Sequence, residues 1–368
     1  MVLKSITQIG LALALSAGGC AIAQDSAVYD PQQNAWRLRY QNPDTGQWVD
    51  KLYVARTGIR PRIKSRVTGN GQPFAYQYTV RNQGGARQAI SVIRIWGIPT
   101  IYSVPNLPPV TTDPRTDMER WTHQQWAQLT ARGEFERSVV KAPRGWSGGL
   151  RVDPEVGHTS FVWTPGLKDS DPDGIEPGRA QSGFVVLRPE LPGVARTFLQ
   201  GDVEEPWGLD GVPETPFWTA KVAEIQAQDF LLVPVMAPII AVPVPYSGPE
   251  LARRIRNHVQ TWPKYGHSSA DALARLNRQF DVLIPALELN NKSAVRAAVL
   301  ALRKECSDRH AGLDDDRIEE DFDEHDAGAQ ARTAAEKRAA PPVILDRVAA
   351  RALLFNLRYL LQRMESGR

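Results

Sequence analysis

The sequence predicts an all-β domain followed by an all-α domain: an N-terminal antiparallel β-sandwich of immunoglobulin-like type, then a C-terminal antiparallel helical bundle. Of the 28 Pro and 28 Gly in 368 residues, 24 of each precede residue 250, as do nine of the ten Trp. Turn formers at that density suit many short strands, and their near absence afterwards suits long helices. The apolar period changes at the same place, from two to steps of three and four. The length fits two to three domains. The shift narrows this to a signal peptide over 1–23, a β-sandwich over 24–245 and a helical bundle over 246–368.

Hydrophobic residues make up 42% and charged residues 23%, which excludes a collagen-like, fully disordered or disulfide-scaffold chain. A net charge of +3 leaves no footprint for nucleic acid. At the amino terminus, Lys4 precedes an apolar run from Ile6 to Ala17, and small residues follow. That is the order of a secretory signal peptide, and the run is too short to span a bilayer. Ala21-Ile22-Ala23 fits ordinary cleavage before Gln24. Ala17-Gly18-Gly19-Cys20 offers the competing reading, a lipobox in which Cys20 is the lipidation candidate. A lipobox ordinarily has Leu three residues before the Cys, and Ala17 stands there. Cys306 then remains as the one unlipidated cysteine, and its spacing from Val295, Val299 and Leu302 places it on an apolar helix stripe.

In the first half, Trp36–Tyr40 and Trp48–Ala55 flank the turn cluster Asn42-Pro43-Asp44-Thr45-Gly46. Phe74, Tyr76, Tyr78 and Val80 alternate with polar or small neighbours, the mark of a half-buried strand. Gln83-Gly84-Gly85-Ala86 reads as the loop of a hairpin to the Ile/Val-rich run Ala89–Trp96. Ser160–Trp163, Gly183–Leu187 and Val194–Gln200 add short strands, as a sandwich requires. A helical insertion is expected near 113–135, where Asp113 and Pro114 open a run with Met118, Trp121, Trp126 and Leu129. Phe230–Pro245 carries four prolines, so it reads as an extended edge or packed linker and not as a membrane span.

In the second half, Leu273, Leu276, Phe280, Leu283, Ile284 and Leu287 form an amphipathic stripe that Asn290-Asn291 ends. A helix from Ala294 to about Ser307 follows Ser293. The last helix, about Val343–Met364, has one stripe through Leu345, Val348, Ala352, Phe355 and Tyr359, widened by Leu353, Leu354, Leu357, Leu360 and Leu361. Leu251, Ile255, Val259 and Trp262 suggest a helix at the junction. Short loops between such helices make an antiparallel bundle. Asp314–Asp326, with nine acidic residues, lies in an acidic, flexible insertion over 312–341. The stretches Leu273–Arg309 and Ile344–Met364 resemble the small helical FIMAH-type domain appended to secreted bacterial hydrolases. The resemblance spans about 90 residues, rests on helix periodicity, and departs from the family in the acidic insertion. It implies an accessory module, with no catalytic residue to carry over. Tyr76–Asn82 and Ser182–Phe184 give the first half a likeness to uncharacterised exported β-sandwich proteins, from which no function follows.

The chemical motifs are weak. Gly145-Trp146-Ser147-Gly148-Gly149 matches G-x-S-x-G, which works as a nucleophile elbow only between a strand and a helix. His123 is the one upstream His, and no Asp separates it from Ser147. Asp169–Gly174 copies the first half of a calcium loop, but the twelfth position is Ala180 where a Glu is needed. None of the six His has zinc-motif spacing, so no metal and no cofactor is expected. Trp36, Trp48, Trp146 and Trp207 near turns raise a carbohydrate platform against the commoner core role of Trp. The expected function is an exported, non-catalytic binding or surface-associated module of the bacterial envelope, periplasmic or secreted. Its ligand is a carbohydrate or a protein, not nucleic acid, and it meets the membrane only through Cys20. The alternatives are a secreted hydrolase using Ser147 and an outer-membrane lipoprotein with a structural role.

Overall fold

The computed structural model describes residues 24–69, 71, 73–96, 139–153, 158–166, 174–203, 209–307 and 345–366. The expected signal peptide with Cys20, the expected helical insertion at 113–135, Asp169–Asp173, Trp207 and the expected acidic insertion at 312–341 lie outside them. The described residues form antiparallel sheets and five α-helices. They divide into two compact units: Met1–Val54 with Pro206–Glu224, and Ala55–Glu205 with Ile225–Arg368. The division does not fall at the expected 245/246 boundary. The reason is hydrogen bonding: among the described residues, strands β1 (Ser26–Asp30), β2 (Ala35–Gln41) and β3 (Trp48–Val54) pair with one another and with no other strand.

In this first unit the two segments that flank the expected turn pair as the β2–β3 hairpin, with Gln41 opposite Trp48. Asn42 builds its turn: its Oδ1 accepts from the N–H groups of Asp44 and Thr45, and Gly46 takes the positive φ of 69° that closes it. Trp36, Leu38 and Tyr40 alternate on the buried face of β2. Tyr40 meets the fully buried Trp218 edge-on at 5.7 Å. Trp218 lies on α1 (Pro216–Gln228), a helix the periodicity does not announce. The signal for it is local: Thr215 Oγ1 accepts the Trp218 N–H, and Pro216 fills the first helical position.

The second unit is a two-sheet sandwich with helices packed on it. One sheet has strand order β4-β5-β10-β7: β4 is Pro61–Thr68, β5 Phe74–Asn82, β10 Ala180–Arg188 and β7 Val140–Lys141. The other is β12-β11-β6-β9-β8: β6 is Ile90–Trp96, β8 Trp146–Asp153, β9 His158–Pro165, β11 Leu191–Gly201 and β12 Leu231–Ile240. These orders match those of a nine-stranded immunoglobulin-type sandwich, although β7, β8 and β9 enter in a different sequence along the chain. Tyr78, Trp146, Trp163 and Phe184 meet between the sheets, with ring centroids 5.1 to 6.0 Å apart. The expected β5–β6 hairpin does not form, because the two strands belong to opposite sheets. Asn82 decides this. Its buried Nδ2 donates to the carbonyls of Gln88 and Ile175 and its Oδ1 accepts from Arg60 N–H, which turns 83–89 into an arch between sheets.

The proline-rich run is β12, an edge strand, as its composition demands. Pro234 and Pro238 share the parity of Met236, whose backbone faces away from β11. Those two prolines have no N–H to present, and Met236 is saturated from the opposite sheet. Its N–H donates to Ser65 Oγ at 3.1 Å and its carbonyl accepts from Tyr78 Oη at 3.0 Å. The outward edge of β12 is thereby closed to further strand pairing.

Helices α2 (Gly248–Gln260), α3 (Ala270–Glu288), α4 (Lys292–Ser307) and α5 (Arg347–Ser366) pack on one another, and α2 and α5 also pack on the sandwich. A free-standing helical domain is therefore not what forms. One hydrophobic core runs from the sheets through the helices. The wide apolar face of α5 explains it: one side serves the helices, while Phe355 and Tyr359 reach Phe74 of β5 at 5.6 and 5.5 Å. Cys306 is fully buried at the end of α4, as its stripe predicts, and burial pushes its thiol up to about 12.

Replacing Ser65 with Ala strands the buried Met236 N–H and is expected to cost about 1–3 kcal/mol by urea unfolding. Thr79→Ala, on the outer face, should stay within about 0.5 kcal/mol of the parent. Equal losses would show that the edge seal contributes nothing. A thiol reagent should label Cys306 in denaturant and not in the native chain.

Candidate functional site

Ser147 lies inside β8, opposite Thr164 of β9, with its side chain exposed. The strand continues through Gly148 and Gly149 to Asp153, and a strand follows it. The sharp strand-to-helix elbow that activates a G-x-S-x-G serine is not built here. Gly148 has another task. A Cβ there would stand 2.8 Å from Trp163, whose indole N–H donates to the Lys141 carbonyl at 3.0 Å.

The Trp residues sort mainly into the core. Trp36, Trp146, Trp163, Trp218 and Trp262 are buried, and Trp48 is exposed with the Arg39 guanidinium 5.5 Å from its ring. A flat stacking platform of several Trp is not assembled among the described residues. Nor do they contain a group of three or more His, Cys, Asp or Glu placed to hold a metal. No described helix is long and apolar enough to cross a membrane.

The interior polar groups that sequence reasoning passed over gather where α2 and α5 meet β11. Among the described residues, strand β11 pairs with β6 from Thr197 to Gly201. Near the start of β11, two helix side chains bond its backbone. Val194 N–H donates to His258 Nε2 of α2 at 2.9 Å, and Asn356 Nδ2 of α5 donates to the Pro192 carbonyl at 2.8 Å. Gly193 between them is required, because a Cβ would sit 2.6 Å from His258 Nε2. An acceptor at Nε2 needs a neutral ring with its proton on Nδ1. Burial first, and the neighbouring His267 second, push His258 down from 6.5 to about 4.

His267 joins the next layer. Its Nδ1 lies 3.4 Å from Asp346 Oδ2, and Asp346 N–H donates to the His267 carbonyl at 2.7 Å. Asp346 also caps α5 by accepting Val348 N–H at 2.6 Å. Burial alone would raise this carboxyl, but the His267 ring and the capped N–H groups hold it below its ordinary value. At the β10–β11 crossing, Arg188 and Glu190 form a buried two-bond pair at 3.0 Å, and Tyr76 Oη donates to the Glu190 carbonyl. Each of these groups holds one backbone segment against another.

The exposed feature with a definite chemical sign is the outer face of the four-stranded sheet. Ile63, Ser65 and Val67 turn inward with Tyr76, Tyr78 and Val80, so Arg62, Lys64 and Arg66 of β4 turn outward. Arg62 stands directly opposite Arg81 of β5, and Lys141 of β7 lies in the row of Gln77 and Val185. Strands β4, β5, β10 and β7 contain no Asp or Glu. The signal was present in the sequence: Ala55–Trp96 holds eight Arg and Lys and no acid, a bias that the overall charge of +3 conceals.

His258 sets a pH limit. Its folded value lies below its unfolded one, so its contribution is complete above about 6.5 and is lost as pH falls toward about 4. Stability should drop over that window by on the order of 2 kcal/mol beyond the carboxylate effect, and His258→Gln should flatten the drop. Gly193→Ala should cost about 1–3 kcal/mol at neutral pH, read by thermal melting.

No family model matches the chain, so the FIMAH-type likeness rests on helix periodicity alone. No curated protein matches it. Among solved structures, an uncharacterized protein from Nocardia farcinica, described as having an immunoglobulin-like fold, is similar at 16% identity over 42% of this chain and 92% of that one. Its TM-score is 0.20, and at that value the likeness carries no argument.

Proposed function

We propose that the chain is an exported, non-catalytic, surface-associated binding module of the bacterial envelope, periplasmic or secreted, or tethered through Cys20. The accessory character that the FIMAH resemblance implies belongs to the same reading. The observation that carries it is the four-stranded sheet, whose strands hold Arg and Lys on their outer face and include no Asp or Glu. The position of Ser147 within an extended strand argues in the same direction and against the hydrolase alternative.

Expression of the full chain in a Gram-negative host, followed by fractionation and mass analysis of the mature protein, tests the export half. The expected product is an envelope or medium fraction beginning at Gln24, or an acylated chain beginning at Cys20. An uncleaved chain held in the cytoplasm would sink it. Ser147→Ala tests the other half. Ester and amide turnover that this substitution abolishes would replace the binding module with a hydrolase.

A further inference from the structure

Helix α2 packs chiefly on α3 and α5. Among the described residues, the polar bond that joins it to β11 runs from Val194 N–H to His258 Nε2, at 2.9 Å. A Cβ at Gly193 would stand 2.6 Å from the same nitrogen, so the ring sits directly on the strand. We propose that His258 is an acid-sensitive latch: protonation of its ring releases the C-terminal end of α2 and Trp262 from β11, while the sandwich and α5 stay folded. The device depends neither on export nor on a ligand.

The bond cannot survive a proton. A charged imidazole donates from both nitrogens and accepts at neither. Nε2–H would then point at Val194 N–H, two donors facing each other, and the ring has to leave. Burial and the neighbouring His267 both oppose the charged ring and bring His258 from 6.5 down to about 4. The folded value lies below the unfolded one, so the latch is fully closed above about 6.5 and opens as pH falls toward about 4. The other charged groups on the surrounding elements are engaged elsewhere. On α2, Glu250 pairs with Arg254. Arg196 of β11 and Lys264 lie against the Tyr265 ring. Arg275 and Asp281 of α3 pair with Glu305 and Arg256. Asp346 is held by His267, and Arg351 and Arg358 of α5 have partners of their own. Strand β12 contributes no titratable group.

The opening is local because the chain on each side of the latch is tied by contacts that this proton does not touch. Ser247 caps the start of α2, and Arg254 Nη1 donates to the Ala241 carbonyl. His258 stands about 15 Å along the helix from Gly248, at the usual rise per residue. Beyond it, His267 N–H donates to the Trp262 carbonyl and Asp346 N–H to the His267 carbonyl. Helix α5 keeps its own hold, through Asn356 Nδ2 on the Pro192 carbonyl and through Phe355 and Tyr359 on Phe74. Those contacts are amide and aromatic, not ionic. The released end therefore behaves as a strap fixed at both ends, and what it uncovers is apolar: Val194, Val259 and Trp262, all buried when the latch is closed.

The test is hydrogen exchange of the full chain, read peptide by peptide at pH 7, 5 and 4, with each rate normalised to that of the unfolded chain at the same pH. Protection over 191–196 and 255–263 should fall by on the order of a hundredfold at pH 4. Protection over 180–188 and 353–360 should hold within about threefold, as separate opening units do. His258→Gln keeps an acceptor that no proton removes and should abolish the fall. His267→Gln removes a like charge and should lessen the fall without abolishing it. Circular dichroism and melting at pH 7 establish that both variants fold, and the parent's own exchange profile decides the matter if His258→Gln does not. A fall spread evenly through 180–188 and 353–360, no fall over 191–196, or an undiminished fall in folded His258→Gln would overturn the proposal.

Discussion

Two helix side chains bond the backbone near the start of β11, and the second unit is organised around those contacts. A buried strand segment without a partner leaves backbone donors and acceptors that water cannot reach, at a cost of about 1–3 kcal/mol each. His258 and Asn356 bond two such groups of β11 from two different helices. Two side chains therefore do for Pro192 and Val194 what a strand does elsewhere. The helices are obliged to sit on the sheet, and Gly193 is obliged to remain without a side chain.

The same economy governs the edges of the sandwich. At β12, Pro234 and Pro238 remove two outward donors, and Ser65 and Tyr78 engage the Met236 backbone between them. At β4, the opposite sheet's edge carries Arg62, Lys64 and Arg66 along its outer face. Edge charge is a recognised guard against strand-to-strand aggregation. Arg81 and Lys141 lie on the same outer face.

Much of the candidate site was written in the chain but not at the level of motifs. The motif Gly145–Gly149 drew attention to Ser147, yet a short string has no power to specify the backbone around it. Here the backbone is extended, because Trp146 packs against Phe184 and the strand must reach Asp153. The cationic face was legible as a local charge bias between Ala55 and Trp96, hidden by averaging over the whole chain. The arrangement of its members on one side of a sheet followed only once β4 was paired with β5 in register. His258 and Asn356 had no signal at all, since neither their type nor their spacing distinguishes a helix-surface polar residue from a backbone partner.

The sequence by itself determined the local elements. Alternation in Phe74–Val80, the Asn42–Gly46 turn, the helix stripes through Leu276 and Leu357 and the burial of Cys306 all follow from periods and propensities that act within a dozen residues. The placement of the proline-rich strand at an edge follows too, because proline cannot donate to a ladder. Tertiary structure decided what lay beyond that range. It put β5 and β6 in opposite sheets, separated β1–β3 as a unit and joined the helices to the sandwich in one core. These outcomes turn on which distant backbone groups remain to be satisfied, as Asn82, His258 and Asn356 show. That is a property of the assembled chain, and no local pattern encodes it.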